Sequence, residues 1–158
     1  MTPTEQSERA NFVQCAMKYI GTPYHHMGMI RGVGVDCATL LICAAQDAGL
    51  LGDDYKLDAY PADWHLHRGG ERYLSTILKL CPEVALPPLP GDICLWRFAR
   101  QYSHSAIVIE WPRIIHAYVG RPVSLDDGEK NQNLVFVGER GAEYGKRRRM
   151  KLLSKWSR

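Results

Sequence analysis

Hydrophobic and polar positions follow two different rhythms along this chain, and the change comes near residue 86. In the first half, Phe12, Val13, Ala16, Met17 and Ile20 recur at the three-and-four spacing of one helix face. The stretch "TPTE" at 2–5 opens that helix: Thr2 suits the cap, Pro3 the first turn, and Glu5 completes a capping box. Gly21 and Pro23 end it. Leu40, Leu41, Ala44 and Ala48 mark the apolar face of a second helix over about 37–48, and "ERYLSTILKL" at 71–80 predicts a third. Residues 21–35 read as a loop, and 50–70 as a loop with short helical pieces. After the turn "LPPLPGD" at 86–92 the period shortens. "DICLWRF", "HSAIVIEW", "RIIHAYV" and "NLVFVGE" are short, rich in β-branched and aromatic residues, and separated by turn chemistry. Trp111 and Pro112 mark the tip of a hairpin. Helices first and strands second predict an α+β domain, with N-terminal helices packed on a small antiparallel sheet.

A length of 158 residues suits one domain with a core that needs no staples. No repeat or linker divides it. The absence of an 18-residue apolar run predicts no membrane-inserted helix. "MTPTEQSERANF" lacks a basic segment followed by an apolar one, so the expectation is synthesis in the cytoplasm without a signal peptide. Export by another route, such as packing into a virion, stays open.

Charge is uneven. Residues 146–158, "KRRRMKLLSKWSR", hold seven of the 20 basic side chains and none of the 17 acidic ones. Such a run can meet nucleic acid or an anionic polymer, but it more often forms the solvated face of a last strand or helix. No nucleic-acid partner is therefore expected. The five cysteines, an odd number, form no CxxC pair, and no Cys/His spacing suits zinc. Reduced thiols follow, four of them as small core residues. No metal or other cofactor is expected; His25-His26 and His65-x-His67 have no carboxylate or thiol to complete a ligand set.

Cys37 differs from the other four thiols by its place. In "RGVGVDCATLL" it lies at the seam between a flexible loop and a helix. A helix start offers unpaired N–H groups and the positive end of the dipole, which can lower a thiol's pKa well below the roughly 8.5 of a free cysteine. The same N–H groups suit a developing oxyanion. A base and an orienting group complete the chemistry. His104 in "YSHSAIVIEW" and His116 in "RIIHAY" lie on consecutive predicted strands. An in-register hairpin puts them on one face as diagonal neighbours, and a one-residue slip separates them. His104 then reads as the base, and His116 orients it through the ring nitrogen that faces away from Cys37. Asp36 reads equally as the cap of the nucleophile helix or as a substrate-binding carboxylate.

These stretches together resemble the NlpC-type cell-wall cysteine peptidases, a family with a compact papain-like fold, and most of all its phage-tail and prophage members. "IGTPYHHMGMIRGVGVDCATLL" is similar to the family's pre-nucleophile loop and nucleophile helix, "LPGDICLWRF" to its Pro-Gly-Asp turn and first core strand, and "SHSAIVIE…RIIHAY" to its two histidine strands. The resemblance implies Cys37 as nucleophile, His104 as base and His116 as the third polar residue. It implies that Tyr24 lines the site and that Asp36 recognises a substrate amino group. The implied activity is hydrolysis of peptidoglycan stem peptides, at the bond between D-γ-glutamate and a diamino acid. The implied partners are the stem peptide and other phage tail proteins, with the protein in a virion tail or released to the wall. Two departures concern the pocket: Ala38-Thr39 follow the nucleophile where the family has Ser or Gly, and the stretch after Tyr24 is longer than the usual short turn. A non-catalytic tail component that keeps the fold is the competing class, and an acyltransferase using the same thiol is a third.

Overall fold

The computed structural model describes residues 1–58, 72–85, 87–98, 101–131, 133–134 and 150–156. Helix α1 (Pro3–Met17) begins as its sequence predicts: Thr2 Oγ1 accepts the Glu5 amide at 3.1 Å, and proline occupies the first turn. It ends earlier than the apolar spacing suggests. Phe12, Val13 and Ala16 are buried, whereas Ile20 lies beyond the last turn and is exposed. The expected loop 21–35 contains a small hairpin, β1 (Met29–Ile30) with β2 (Gly34–Val35). Its tight path explains the glycines. A Cβ on Gly28 would lie 2.4 Å from the Gly34 carbonyl oxygen, and one on Gly34 would lie 2.5 Å from the His25 Cβ.

Helices α2 (Cys37–Asp47) and α3 (Arg72–Leu80) match their predicted spans. Five strands follow: β3 (Ile93–Phe98), β4 (Gln101–Glu110), β5 (Arg113–His116), β6 (Ser124–Asp127) and β7 (Met150–Leu153). They form one antiparallel sheet in the order β6-β5-β4-β3-β7. Trp111 and Pro112 turn the β4–β5 hairpin as expected. The segment "NLVFVGE" lies outside the described residues except for Asn133 and Leu134, which are in a turn. Strand β6 had no such signal in the sequence, because "SLDDGEKN" reads as polar turn.

Alternation along the strands divides the core. Ile93, Leu95, Ile107, Ile115 and Leu153 pack beneath the helices with Phe12, Leu40, Leu41 and Ile77. Cys94, Trp96, Ala106, Val108, Ile114 and Leu152 form a second cluster on the opposite face. The C-terminal segment is structural over its described part. Leu152, Leu153 and Ser154 are buried, and β7 pairs along β3 from Trp96↔Met150 to Ile93↔Leu153. Its basic residues 146–149 lie outside the described residues.

Across the buried base of the molecule, Arg9 joins α1 to the sheet. It donates to Asp92 Oδ1 at 2.7 Å, to the Pro90 carbonyl at 2.8 Å and to Glu5 Oε1 at 2.9 Å, and stacks on Trp156. No helix among the described residues is long and apolar enough to cross a membrane.

Candidate active site

Asp36 and Thr39 build the start of α2. Asp36 Oδ1 accepts from the Ala38 and Thr39 amides at 3.0 and 2.9 Å, and the Asp36 amide donates to Thr39 Oγ1 at 2.8 Å. This is a full capping box. Thr39, bulkier than the residue the resemblance leads one to expect, supplies half of it. Asp36 Oδ2 accepts the Met27 amide at 2.8 Å, which ties the pre-nucleophile loop to the helix. The carboxylate is 2 % exposed. Two first-turn amides, those of Ala38 and Thr39, are thus committed to Asp36.

The thiol meets β4 at an opening in the sheet. Val108 exchanges hydrogen bonds with Asp92 and Gly91 beside β3, so the alternating residues Ser105 and Ile107 turn their backbone groups toward β5. Strand β5 stops at His116, and the start of α2 bonds to β4 at Ser103 and Ser105. Cys37 Sγ donates to the Ser103 carbonyl at 3.5 Å, while the Cys37 carbonyl accepts Ser105 Oγ at 2.9 Å. Tyr73 on α3 holds that same serine hydroxyl. Cys37 therefore touches the residues before and after His104.

A β-bulge positions His104. The β3–β4 register runs Trp96↔His104 and then Arg97↔Tyr102, so Ser103 is the extra residue. A bulge redirects the neighbouring side chain and increases local twist. Ser103 Oγ is buried with no hydrogen-bond partner among the described residues. His104 lies between the rings of Trp96 and Tyr118, at centroid distances of 5.9 and 5.3 Å.

The register Ile107↔Ile115 and Val108↔Ile114 makes His104 and His116 diagonal neighbours on one face. His104 Nε2 and His116 Nδ1 are 2.8 Å apart. On the far side, His116 Nε2 lies 2.9 Å from Asp126 Oδ2, on β6. Asp126 also accepts from the Asp127 amide and from Asn131 Nδ2. Sequence reasoning did not single out Asp126. Only the pairing His116↔Ser124 brings β6 alongside, and the one signal available was an acidic residue ten positions after His116.

Burial sets the electrostatics. It pushes the Cys37 thiol up to about 12, with Asp36 adding to the rise and Ser105 and the Cys37 amide opposing it. Burial, then the neighbouring His116, hold His104 well below the usual histidine range. His116 is also lowered by burial, against the pull of Asp126. Burial thus favours a neutral thiol and neutral imidazoles at rest. The sequence led us to expect a thiol activated at rest by the helix start. The reason for the difference is that the helix-start amides are already spent on Asp36, and the sulfur is enclosed by β4.

The structure thus joins His104 to His116 and places Cys37 against Ser103 and Ser105, the neighbours of His104 in β4. Tyr24 is half-buried, bridges to Val35, and lies close enough to Cys37 and Asp36 for both to raise its pKa. Asp36 caps α2. Cys43 is buried on α2 with its Sγ toward the Met29 carbonyl, and all five cysteines are free thiols. His25 is exposed in the loop, and His65 and His67 lie outside the described residues.

No family model matches the chain, and no curated protein matches it. Solved structures do. The NlpC/p60 domain of the peptidoglycan hydrolase SagA is 21% identical with a TM-score of 0.50, covering 75% of this chain and 88% of that one. The peptidoglycan hydrolase RipB from Mycobacterium tuberculosis is 14% identical with a TM-score of 0.58, over 98% of this chain and 68% of that one. RipD from the same organism, described as a non-catalytic NlpC/p60 domain protein adapted to peptidoglycan binding, is 15% identical with a TM-score of 0.54, over 94% and 98%. The described residues, with three helices on an antiparallel sheet and a cysteine at a helix start beside a histidine strand, have the NlpC/p60 fold.

Proposed function

We propose that this protein is a cysteine peptidase that hydrolyses amide bonds in peptidoglycan stem peptides. The observation that carries the reading is the buried Cys37 at the start of α2, hydrogen-bonded on both sides of His104, whose far nitrogen is held by His116 at 2.8 Å. His104 Nδ1 takes the proton from Cys37 Sγ as the sulfur attacks the substrate carbonyl carbon. The Cys37 amide stabilises the oxyanion of the tetrahedral intermediate. His104 then returns the proton to the leaving amine, and water hydrolyses the thioester with His104 again as base. Because burial favours the neutral forms of thiol and imidazole, proton transfer in this reading belongs to the attack itself.

The substrate bond in this reading is D-γ-glutamyl to a diamino acid, the one the sequence resemblance implies, and the setting is a phage or prophage tail. Tyr24 faces the substrate. Recognition of an amino group by Asp36 would require a buried carboxylate to give up bonds it already makes, so we assign Asp36 to the helix start.

A non-catalytic wall-binding role is the second reading. What favours it is the enclosure of Cys37, a residue 7 % exposed. Mass spectrometry of peptidoglycan fragments incubated with wild type and with Cys37→Ala separates the two. Stem-peptide cleavage by wild type alone is expected. Co-sedimentation with walls and no cleavage by either would overturn the enzyme reading.

A further inference from the structure

We infer that Asp126 is a positioning residue that dictates which ring nitrogen of both histidines carries a proton, and so leaves His104 Nδ1 as the bare, basic atom. The argument needs only the donors around Asp126. Asn131 Oδ1 accepts the Asn133 amide at 2.9 Å, so the Asn131 side chain has one orientation, with Nδ2 toward Asp126 Oδ2. Asp126 Oδ1 accepts the Asp127 amide at 2.8 Å. Both fixed neighbours are donors, which suits an ionised, acceptor-only carboxylate. They also hold its pKa down, against partial burial.

The consequence passes along the chain of bonds. An acceptor at 2.9 Å requires His116 Nε2 to be the donor, which leaves neutral His116 with a bare Nδ1. A bare Nδ1 at 2.8 Å requires His104 Nε2 to donate. His104 Nδ1 is then unprotonated, the state in which it can take the thiol proton. Reversing any one bond reverses the rest and places a proton on Nδ1, where His104 cannot act as a base. The turn that holds Asp126 is itself fixed: Asp127 Oδ1 accepts the Glu129 and Lys130 amides, and the Asn131 amide donates to the Asp127 carbonyl.

The kinetic part of the test rests on the peptidase reading; the spectroscopic part does not. Nitrogen-15 NMR of protein labelled at histidine distinguishes the two neutral tautomers in the wild type, with no substitution that risks the fold. Both His104 and His116 are expected to carry the proton on Nε2. A proton on Nδ1 of either would overturn the inference. Asp126→Asn always turns its NH2 against a donor, at His116 and Asn131 or at Asp127. It is expected to mix the tautomers and to lower kcat about 100-fold or more, as loss of a correctly set general base does, with KM within about threefold. Asp126→Glu, which keeps an acceptor-only group, is expected to recover part of kcat. Unchanged tautomers and unchanged kcat in Asp126→Asn would overturn the positioning role. If wild type cleaves no stem peptide, the function proposed above fails, and the wild-type tautomers still decide this inference.

Discussion

Acid should destabilise this protein at a pH where its carboxylates are still ionised. His104 and His116 are 4 % and 1 % exposed, and burial lowers the pKa of both. In the unfolded chain each takes a proton as pH falls through about 6.5, while in the folded protein burial shifts that uptake to lower pH. The unfolded state then binds more protons, so stability is full above that pH and declines as pH falls. Each fully neutral histidine contributes a slope of about 1.4 kcal/mol per pH unit. Two of them between pH 6.5 and 5 amount to at most about 4 kcal/mol, a large share of a typical 5–15 kcal/mol. His116 contributes less than His104, because Asp126 favours its protonated form. Urea unfolding at a series of pH values measures the loss. Trp96 reports it directly, since its ring lies 5.9 Å from that of His104. His104→Phe should flatten the profile. The opposite result would refute the reasoning: a midpoint that holds or rises from pH 7 to 5 means that His104 is an imidazolium paired with a thiolate, and that the resting site is charged.

Two further changes probe the frame of the site. Asp36→Ala removes both cap bonds and the Met27 tie, and should cost about 1–2 kcal/mol in urea unfolding; kcat/KM should fall equally on free and N-acetylated tripeptides, whereas a loss confined to the free peptide would restore a recognition role. Arg9→Ala removes the cation from Asp92, which is fully buried, and should cost about 3–5 kcal/mol, with part recovered in the Arg9→Ala/Asp92→Asn double variant; a loss below 1 kcal/mol would show that the pair is not the link between α1 and the sheet.

The sequence by itself determined whatever depends on neighbours a few residues away. Thr2 and Pro3 start α1, Asp36 and Thr39 start α2, and the apolar period sets the buried face of each helix. The two histidines were legible for the same reason. A tight hairpin has few registers, and an apolar alternation that must face the core selects one of them, so residues 104 and 116 fall together without knowledge of the rest. What the tertiary structure alone decided comes from segments far apart in the chain. The bulge at Ser103 arises from pairing with β3, and β7 closes the sheet edge from the other end of the sequence. The protonation of the site is decided at this level too. A helix start in isolation favours a thiolate, because its amides point at the sulfur. Here those amides are turned to Asp36, β4 encloses the thiol, and desolvation outweighs what remains of the helix field. Asp126 looks like surface turn in the sequence, and gains its role only because β6 lies beside β5 and aims a carboxylate at His116. Local spacing chooses which groups can react; burial and long-range pairing choose their charge.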